Sequence, residues 1–344
     1  LTVKTIQWEE VEEEVRRILR PLEDKIGSDL RREESDEDIG GRSNRRSGKR
    51  DGYKEVEEIK KRRPTKWQLI SKTVFKLLET TAICPLEAIK SEPCFLENDF
   101  LTDPDNSSKV NEAIKIWSYK INNFLLRDFY NMYYANTMEN LIFSRSKVYY
   151  NLEESTKILD KILIHQFNDD EGDIKEFLQW LVNVVDKQPE GNPFANTKFN
   201  AFLVHSPPSA GKNFFMDTLL SLLLNVGQLG SANKSNNFAF QDAANRRIIL
   251  WNEPNYESSM TDYLKMLFEG GDTKVRVKMM GDTHVKRTPV LILTNNVVNF
   301  MNDNDFKDRI KQFKWKTSPF LKDLKLKPYP LSFFEILLKY QIKF

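Results

Sequence analysis

HSPPSAGKNFF, residues 205–215, decides how this chain is read. It joins an apolar run, FNAFLVHS, to a leucine-rich run, MDTLLSLLLNV. A strand, a tight glycine-containing loop and a helix form the context in which backbone N–H groups wrap a phosphate. The helix N-terminus adds partial positive charge there. The phosphate-loop pattern is G-x-x-x-x-G-K-[ST]. Gly211 and Lys212 stand in their places, whereas Ser206 holds the first glycine position and Asn213 the hydroxyl position. Gly211 lets backbone approach a phosphate, and Lys212 brings a point charge to the β and γ oxygens. The candidate ATP-binding residues are therefore Ser206, Pro207, Pro208, Ser209, Ala210, Gly211, Lys212 and Asn213. Asn213 can still offer a carbonyl oxygen to Mg²⁺. Ser206 costs of order 1 kcal/mol if its φ is positive and nothing if it is negative. Taken alone, a Gly-Lys pair is weak, because lysines follow glycines in many loops.

The downstream segments, in their order, add weight. RRIILWNEPNYE (246–257) is an apolar strand ending in an acid, Glu253. A nucleotide hydrolase needs a carboxylate at such a strand end, for the Mg²⁺ shell and the attacking water. In LKMLFEGGDTKVRVKMMGDTHVKRTPVLILTNN (264–296), Gly270-Gly271 breaks a helix. Two short strands then flank a Met-Gly-Asp turn as a β-hairpin carrying Lys274, Arg276, Lys278, Lys286 and Arg287. The strand PVLILT ends at Asn295, and FKDRIKQFKW (306–315) reads as a helix bearing Arg309. Each feature alone has a plain structural reading: a surface Glu at a strand end, or a basic hairpin on a solvated face.

As an ordered set, SPPSAGKNFF, RIILWNEPNYE, FEGGDTKVRVKMMGD, KRTPVLILTNN and KDRIKQFKW resemble the superfamily 3 helicase domain of parvovirus replication initiators. The resemblance is strongest to the large nonstructural protein of insect-infecting densoviruses, and it covers residues 199–316. It implies an α/β fold: an AAA+-type P-loop ATPase core with a parallel sheet flanked by helices. It implies catalytic roles for Lys212, for Glu253 (Mg²⁺ and water), for Asn295 as the polar sensor, and for Arg309 as an arginine finger reaching a neighbouring subunit's ATP. Lys278 matches the hairpin lysine that grips single-stranded DNA, with His284 and Lys286 beside it. The implied activity is an ATP- and Mg²⁺-dependent DNA helicase, 3′-to-5′, acting in rolling-hairpin viral replication in the host nucleus. The implied partners are single-stranded and duplex DNA and further copies of the chain, as a homo-oligomer that is usually hexameric. Three positions depart from the pattern: Ser206, Asn213, and Asn252, where many members carry a first acid.

The remainder of the 344 residues is read from composition and periodicity. Residues 1–26 carry an apolar stripe (Trp8, Val11, Val15, Ile18, Leu22 and Ile26) at helical spacing, with a kink at Pro21. Residues 27–64 are charged, nearly devoid of large apolar side chains, and are expected to be disordered. Within them RSNRRSGKR and KKRRP are either solvated linker charge, nuclear-import signals or phosphate contacts. Residues 65–198 form a mostly helical region, 199–316 the ATPase core, and 317–344 a C-terminal tail expected to pack on that core. Lys+Arg total 52 and Asp+Glu 50, so any nucleic-acid surface must be a local patch. Two cysteines, Cys84 and Cys94, make neither a disulfide framework nor a zinc motif, and fit a reducing compartment. No apolar run is long enough to span a bilayer, so no membrane partner is expected.

Family initiators usually also carry a nuclease with paired histidines and a tyrosine nucleophile. Here His165, His205 and His284 are scattered, and Tyr149 and Tyr150 have no metal cluster beside them. No nickase activity is therefore expected of this chain; the nuclease either precedes Leu1 or has been lost. Two other readings stay open. One is a catalytically weakened endogenous viral remnant that folds and binds DNA or nucleotide without productive hydrolysis. The other is an unrelated P-loop ATPase, such as a chaperone-like one, against which the basic hairpin argues.

Overall fold

In β1 (Ala201–His205), the strand that ends at the loop, successive side chains enter two different cores: Phe202 and Val204 on one face, Ala201 and Leu203 on the other. A strand buried on both faces reads as a continuous apolar run, and belongs in the middle of a parallel sheet. The computed structural model describes residues 64–135, 143, 148–187, 198–233, 235–236, 238–279 and 281–344. The amphipathic stripe at 1–26, the linker up to residue 63 and most of the loop at 188–198 lie outside the described residues.

The sheet adds β2 (Val226–Gln228), β3 (Ile248–Asn252), β6 (Val290–Thr294) and β7 (Ile310–Lys314) in the order β2-β3-β6-β1-β7. Every pairing in it is parallel. A separate antiparallel hairpin, β4 (Thr273–Val275) and β5 (Thr283–Val285), pairs Lys274 with His284. This is an α/β core with a parallel sheet flanked by helices, preceded by a helical region.

That region contains α1 (Lys66–Thr80), α2 (Ser107–Ile121), α3 (Leu126–Ala135), α4 (Leu152–Gln166) and α5 (Glu171–Val185). Thr65 opens α1 with a reciprocal capping box to Gln68, and Asn151 and Asp170 cap α4 and α5. The long periodic stretch 109–137 is split at residues 122–125, where Asn122 and Arg247 bind the chain to the core instead. Further on lie α6 (Lys212–Leu223), α7 (Thr261–Glu269) and α8 (Ser332–Lys339). The helix α7 stops where expected, at Gly270, whose φ is +71°. A Cβ there would lie 2.6 Å from Arg287 Cγ and 3.0 Å from Asn200 Cγ.

One expectation is corrected. FKDRIKQFKW is not a helix: Arg309 sits in the turn before β7, the sheet's edge strand beside β1. The spacing of Phe306, Ile310 and Phe313 imitates a helix. Lysines on an edge strand, which protect it from further pairing, complete the imitation. Lys311 is held by Glu176 of α5 at 2.7 Å and lies 4.6 Å from the centre of the Trp180 ring. Among the described residues no helix is long and apolar enough to cross a membrane.

Helical region and core are joined by aromatic packing. Phe177 of α5 is fully buried, with the rings of Phe202, Phe215, Phe313 and Trp315 centred 5.0–6.1 Å from its own. The residues of 317–344 pack on the same cluster, with Phe333 of α8 against Phe215.

Candidate nucleotide-binding site

The parallel register brings the C-terminal ends of β1, β3 and β6 side by side, which is where open α/β sheets bind ligands. The cleft there has a volume of about 370 Å³ and is lined by residues 208–214 together with Asn252, Glu253 and Asn295. Strand β1 delivers the loop, β3 delivers Asn252 and Glu253, and β6 delivers Asn295.

Lys212, the first residue of α6, is buried and donates from Nζ to Asn295 Oδ1; Glu253 Oε1 lies 3.8 Å from the same nitrogen. Burial pushes the Lys212 ammonium below the ordinary lysine range, and the Glu253 charge partly restores it. Both Glu253 oxygens accept from the Asn295 N–H at 3.0 Å. The acid is thus aimed by the strand end that carries Asn295. Glu253 also has a φ of +48°, a conformation costing a non-glycine residue of order 1 kcal/mol. Such strain persists where the surroundings over-determine it, most often at functional sites.

In the loop, Gly211 has a φ of +89°, and a Cβ on it would come within 2.5 Å of Leu321 Cδ1. Ser209 is the other left-handed residue, at φ +61°. Ser206 is not among the left-handed residues, so serine at the first glycine position carries no backbone penalty. It is buried, its N–H bonds to Thr294 O at 3.0 Å and its Oγ to Pro207 O at 2.9 Å.

Two departures meet in space. Asn213 Nδ2 donates to Asn252 Oδ1 at 3.3 Å, across from helix start to strand end. The Oδ1 of Asn213 is then the oxygen this position can offer a hard cation, with the Glu253 carboxylate as the charged ligand. One carboxylate plus phosphate oxygens suits Mg²⁺, which keeps several waters and does not need an all-protein cage. The donor set therefore fits the ion. Among the described residues no group of three His, Cys, Asp or Glu side chains gathers elsewhere to hold a metal.

The other residues singled out lie away from the cleft. Lys278, His284 and Lys286 are exposed on the hairpin, while Val275 and Val285 anchor it in the second core. His284 Nδ1 is 3.1 Å from Asp272 Oδ1. Arg309 is paired with Glu269 of α7 at 2.8 Å and also donates to Asp305 O. The hairpin leads into the N-terminal end of β6, and Arg309 precedes β7. Both therefore lie toward the N-terminal ends of the strands, whereas Lys212 lies beyond the C-terminal ends, and a five-residue strand is about 15 Å long.

Sequence reasoning missed the floor of the site. Gln166, the last residue of α4, has its two Nε2 hydrogens shared among Ala210 O (3.1 Å), Lys316 O (2.7 Å) and Ser318 Oγ (2.9 Å). A buried glutamine at the end of an amphipathic helix has no signature that separates it from a solvated one.

The parvovirus non-structural protein NS1 family matches residues 145–318. Initiator protein NS1 of Junonia coenia densovirus is 48% identical over 81% of this chain and 51% of its own length. That of Diatraea saccharalis densovirus is 47% identical over the same shares. Among solved structures, a JCV helicase is 14% identical, covers 81% of this chain and 83% of its own, and has a TM-score of 0.49. The chain spans about half the length of the curated relatives it matches.

Proposed function

Because this chain belongs to the parvovirus non-structural protein NS1 family, we propose that it is the ATP-driven DNA helicase portion of a densovirus-type replication initiator. The observation that carries the reading is the convergence of Lys212, Glu253 and Asn295, at or just beyond three strand ends, on one cleft of about 370 Å³. Lys212 binds the β and γ phosphates of ATP, exchanging Asn295 for phosphate oxygen. Glu253, pinned by the Asn295 N–H, orients the attacking water. Asn295 is left to face the γ-phosphate. Asn213 and Glu253 would hold Mg²⁺, which when bound neutralises charge on the phosphate oxygens.

The exposed cations Lys278 and Lys286, with His284, are the proposed grip on single-stranded DNA. Arg309 is proposed to leave Glu269 and reach the ATP of a neighbouring subunit in a ring, where it stabilises developing charge. A hexamer, 3′-to-5′ travel on duplex DNA, rolling-hairpin replication and action in the host nucleus complete the proposal. One observation favours the second reading, nucleotide binding without turnover: the amide pair of Asn213 and Asn252 stands where the pattern has a hydroxyl and a carboxylate.

The test is steady-state ATP hydrolysis with Mg²⁺, with and without single-stranded DNA, for the wild type and Lys212→Ala. Turnover that rises with DNA and disappears in the variant is expected. Equal background in both proteins rejects the motor and leaves the binding-only reading, which ADP titration then examines.

A further inference from the structure

The phosphate loop is held from outside by two residues that belong to no motif. Ser318 N donates to Ser209 O at 3.0 Å. Ala210 O accepts from Gln166 Nε2 and Ser318 Oγ, each at 3.1 Å. Gly211 O accepts from Phe215 N at 2.9 Å as α6 begins. Three consecutive carbonyls are thus fixed on the side away from the cleft. A trans peptide is planar, with its C=O and the next residue's N–H pointing in opposite directions. Pinning the carbonyls of Ser209, Ala210 and Gly211 therefore turns the N–H groups of Ala210, Gly211 and Lys212 inward, and among the described residues none of the three finds a protein acceptor. Successive N–H groups turned to one side form an anion-binding concavity.

Gln166 is well placed for this work. It is buried, and its side-chain oxygen accepts from Lys316 N at 2.7 Å while its nitrogen serves Ala210, Lys316 and Ser318. Ser318 is fully buried. The pair ties together the end of α4, the loop and the segment after β7. No covalent neighbour of the loop could do this.

We infer that Gln166 and Ser318 are positioning residues that preorganise the phosphate nest by holding its peptides with their N–H groups facing the cleft. The inference rests on the nucleotide reading of the cleft, and deepens it. They touch no substrate. They act through Ser209 and Ala210, so their removal weakens phosphate binding rather than chemistry.

The experiment is calorimetric titration of ADP and of inorganic pyrophosphate into the wild type, Gln166→Met, Ser318→Ala and the double variant, together with ATP kinetics. Leu78→Ala, on α1 of the helical region, serves as the stability control. Each single variant is expected to raise both dissociation constants about 3–10-fold, the usual worth of one or two hydrogen bonds. The ATP KM should rise more than kcat falls. Leu78→Ala should lower the urea midpoint and leave both constants alone. Constants within about twofold of wild type in folded variants would overturn the inference while sparing the nucleotide reading; so would an equal shift in Leu78→Ala. A wild type that binds neither ligand would remove both. Should Gln166→Met not fold, Ser318→Ala decides alone, since it deletes one oxygen and creates no new bulk.

Discussion

Arg247 precedes β3 and has no exposed side-chain surface, and Asp186, at the end of α5, has 5%. The guanidinium reaches Asp186 Oδ1 at 3.2 Å, Val185 O at 2.6 Å and Phe124 O at 2.9 Å. Asp186 in turn accepts from Leu126 N at 2.9 Å. One ion pair thus fastens α3 and α5 of the helical region to the strand that delivers Glu253. Arg247→Met keeps much of the volume and removes the charge. It leaves a carboxylate buried with one N–H partner and two carbonyls without their donor. Breaking a buried pair in this way costs about 3–5 kcal/mol, against 0–1 for an exposed pair. At a urea slope of about 3 kcal/mol per molar, the midpoint should fall by about 1–2 M.

The penalty should also depend on pH, with a definite sign. Burial pushes the Asp186 carboxyl up to about 6, against the Arg247 guanidinium, which pulls it down. The folded value exceeds the ordinary carboxylate value of about 3.9, so the folded chain holds this proton more tightly than the unfolded one. Its contribution is complete below about pH 4 and is lost as pH rises through about 6. Without Arg247 the folded value climbs further, so the loss continues through neutrality. The stability gap between wild type and variant should therefore widen from pH 5 to pH 7. That window stays below the Lys187 ammonium, which burial and Arg247 push down to about 8. Tryptophan fluorescence in urea at three pH values measures it. A penalty under about 1 kcal/mol, or a gap that does not change with pH, would refute the reasoning. Asp186→Asn in the Arg247→Met background should recover the lost slope.

Three further outcomes are expected. Ser206→Gly should change ATP KM and kcat by less than about fivefold, because Ser206 has no positive φ to relieve and glycine adds only about 1 kcal/mol of backbone entropy; a large gain in turnover would show that the serine had disabled the loop. Phe177→Ala should cost about 3–5 kcal/mol in urea unfolding, since its ring fills the space between α5 and the sheet. Lys278→Ala with Lys286→Ala should weaken single-stranded DNA binding and reduce the slope of log affinity against log salt by about one for each phosphate no longer neutralised, as read by fluorescence anisotropy; an unchanged slope would take the hairpin out of the DNA path.

What the sequence discloses depends on how local each signal is. The strands AFLVH, RIILW and PVLILT are legible because burial on both faces leaves uninterrupted apolar runs. The Lys212, Glu253 and Asn295 set comes with them, because each residue closes one of those strands or opens the next helix. IKQFK reads as helical because an edge strand mixes lysine and aromatic residues at spacings a helix also uses. Gln166, Ser318 and the Asp186–Arg247 pair are invisible for a different reason. Their partners lie 44 to 152 residues away, and nothing in a polar side chain's neighbourhood announces a contact at that range. Ser206 shows the converse case. The letter suggests a disabled loop, and only the backbone angle removes the objection.

The two ends of the sheet carry different groups, and β6 reaches both. Its C-terminal end carries Asn295, which donates its N–H to Glu253 and accepts from Lys212. Its N-terminal end continues directly from the hairpin of Lys278 and Lys286, and is bonded to Asn200 beside α7. Between the two ends lie five buried residues, all paired to β1 and four of them also to β3. Such a strand has no room to bend or slip, since a shift of one residue would exchange its two faces between two separate cores. A displacement of Asn295 on nucleotide binding is therefore expected to pass along β6 to the hairpin at its other end. β6 is thus the covalent link between the proposed ATP site and the proposed DNA grip. If the proposed motor holds, Ile292→Ala, which loosens this packing, should reduce the stimulation of ATP turnover by single-stranded DNA more than it reduces basal turnover or DNA affinity, as steady-state kinetics and fluorescence anisotropy measure; an undiminished stimulation would refute the link.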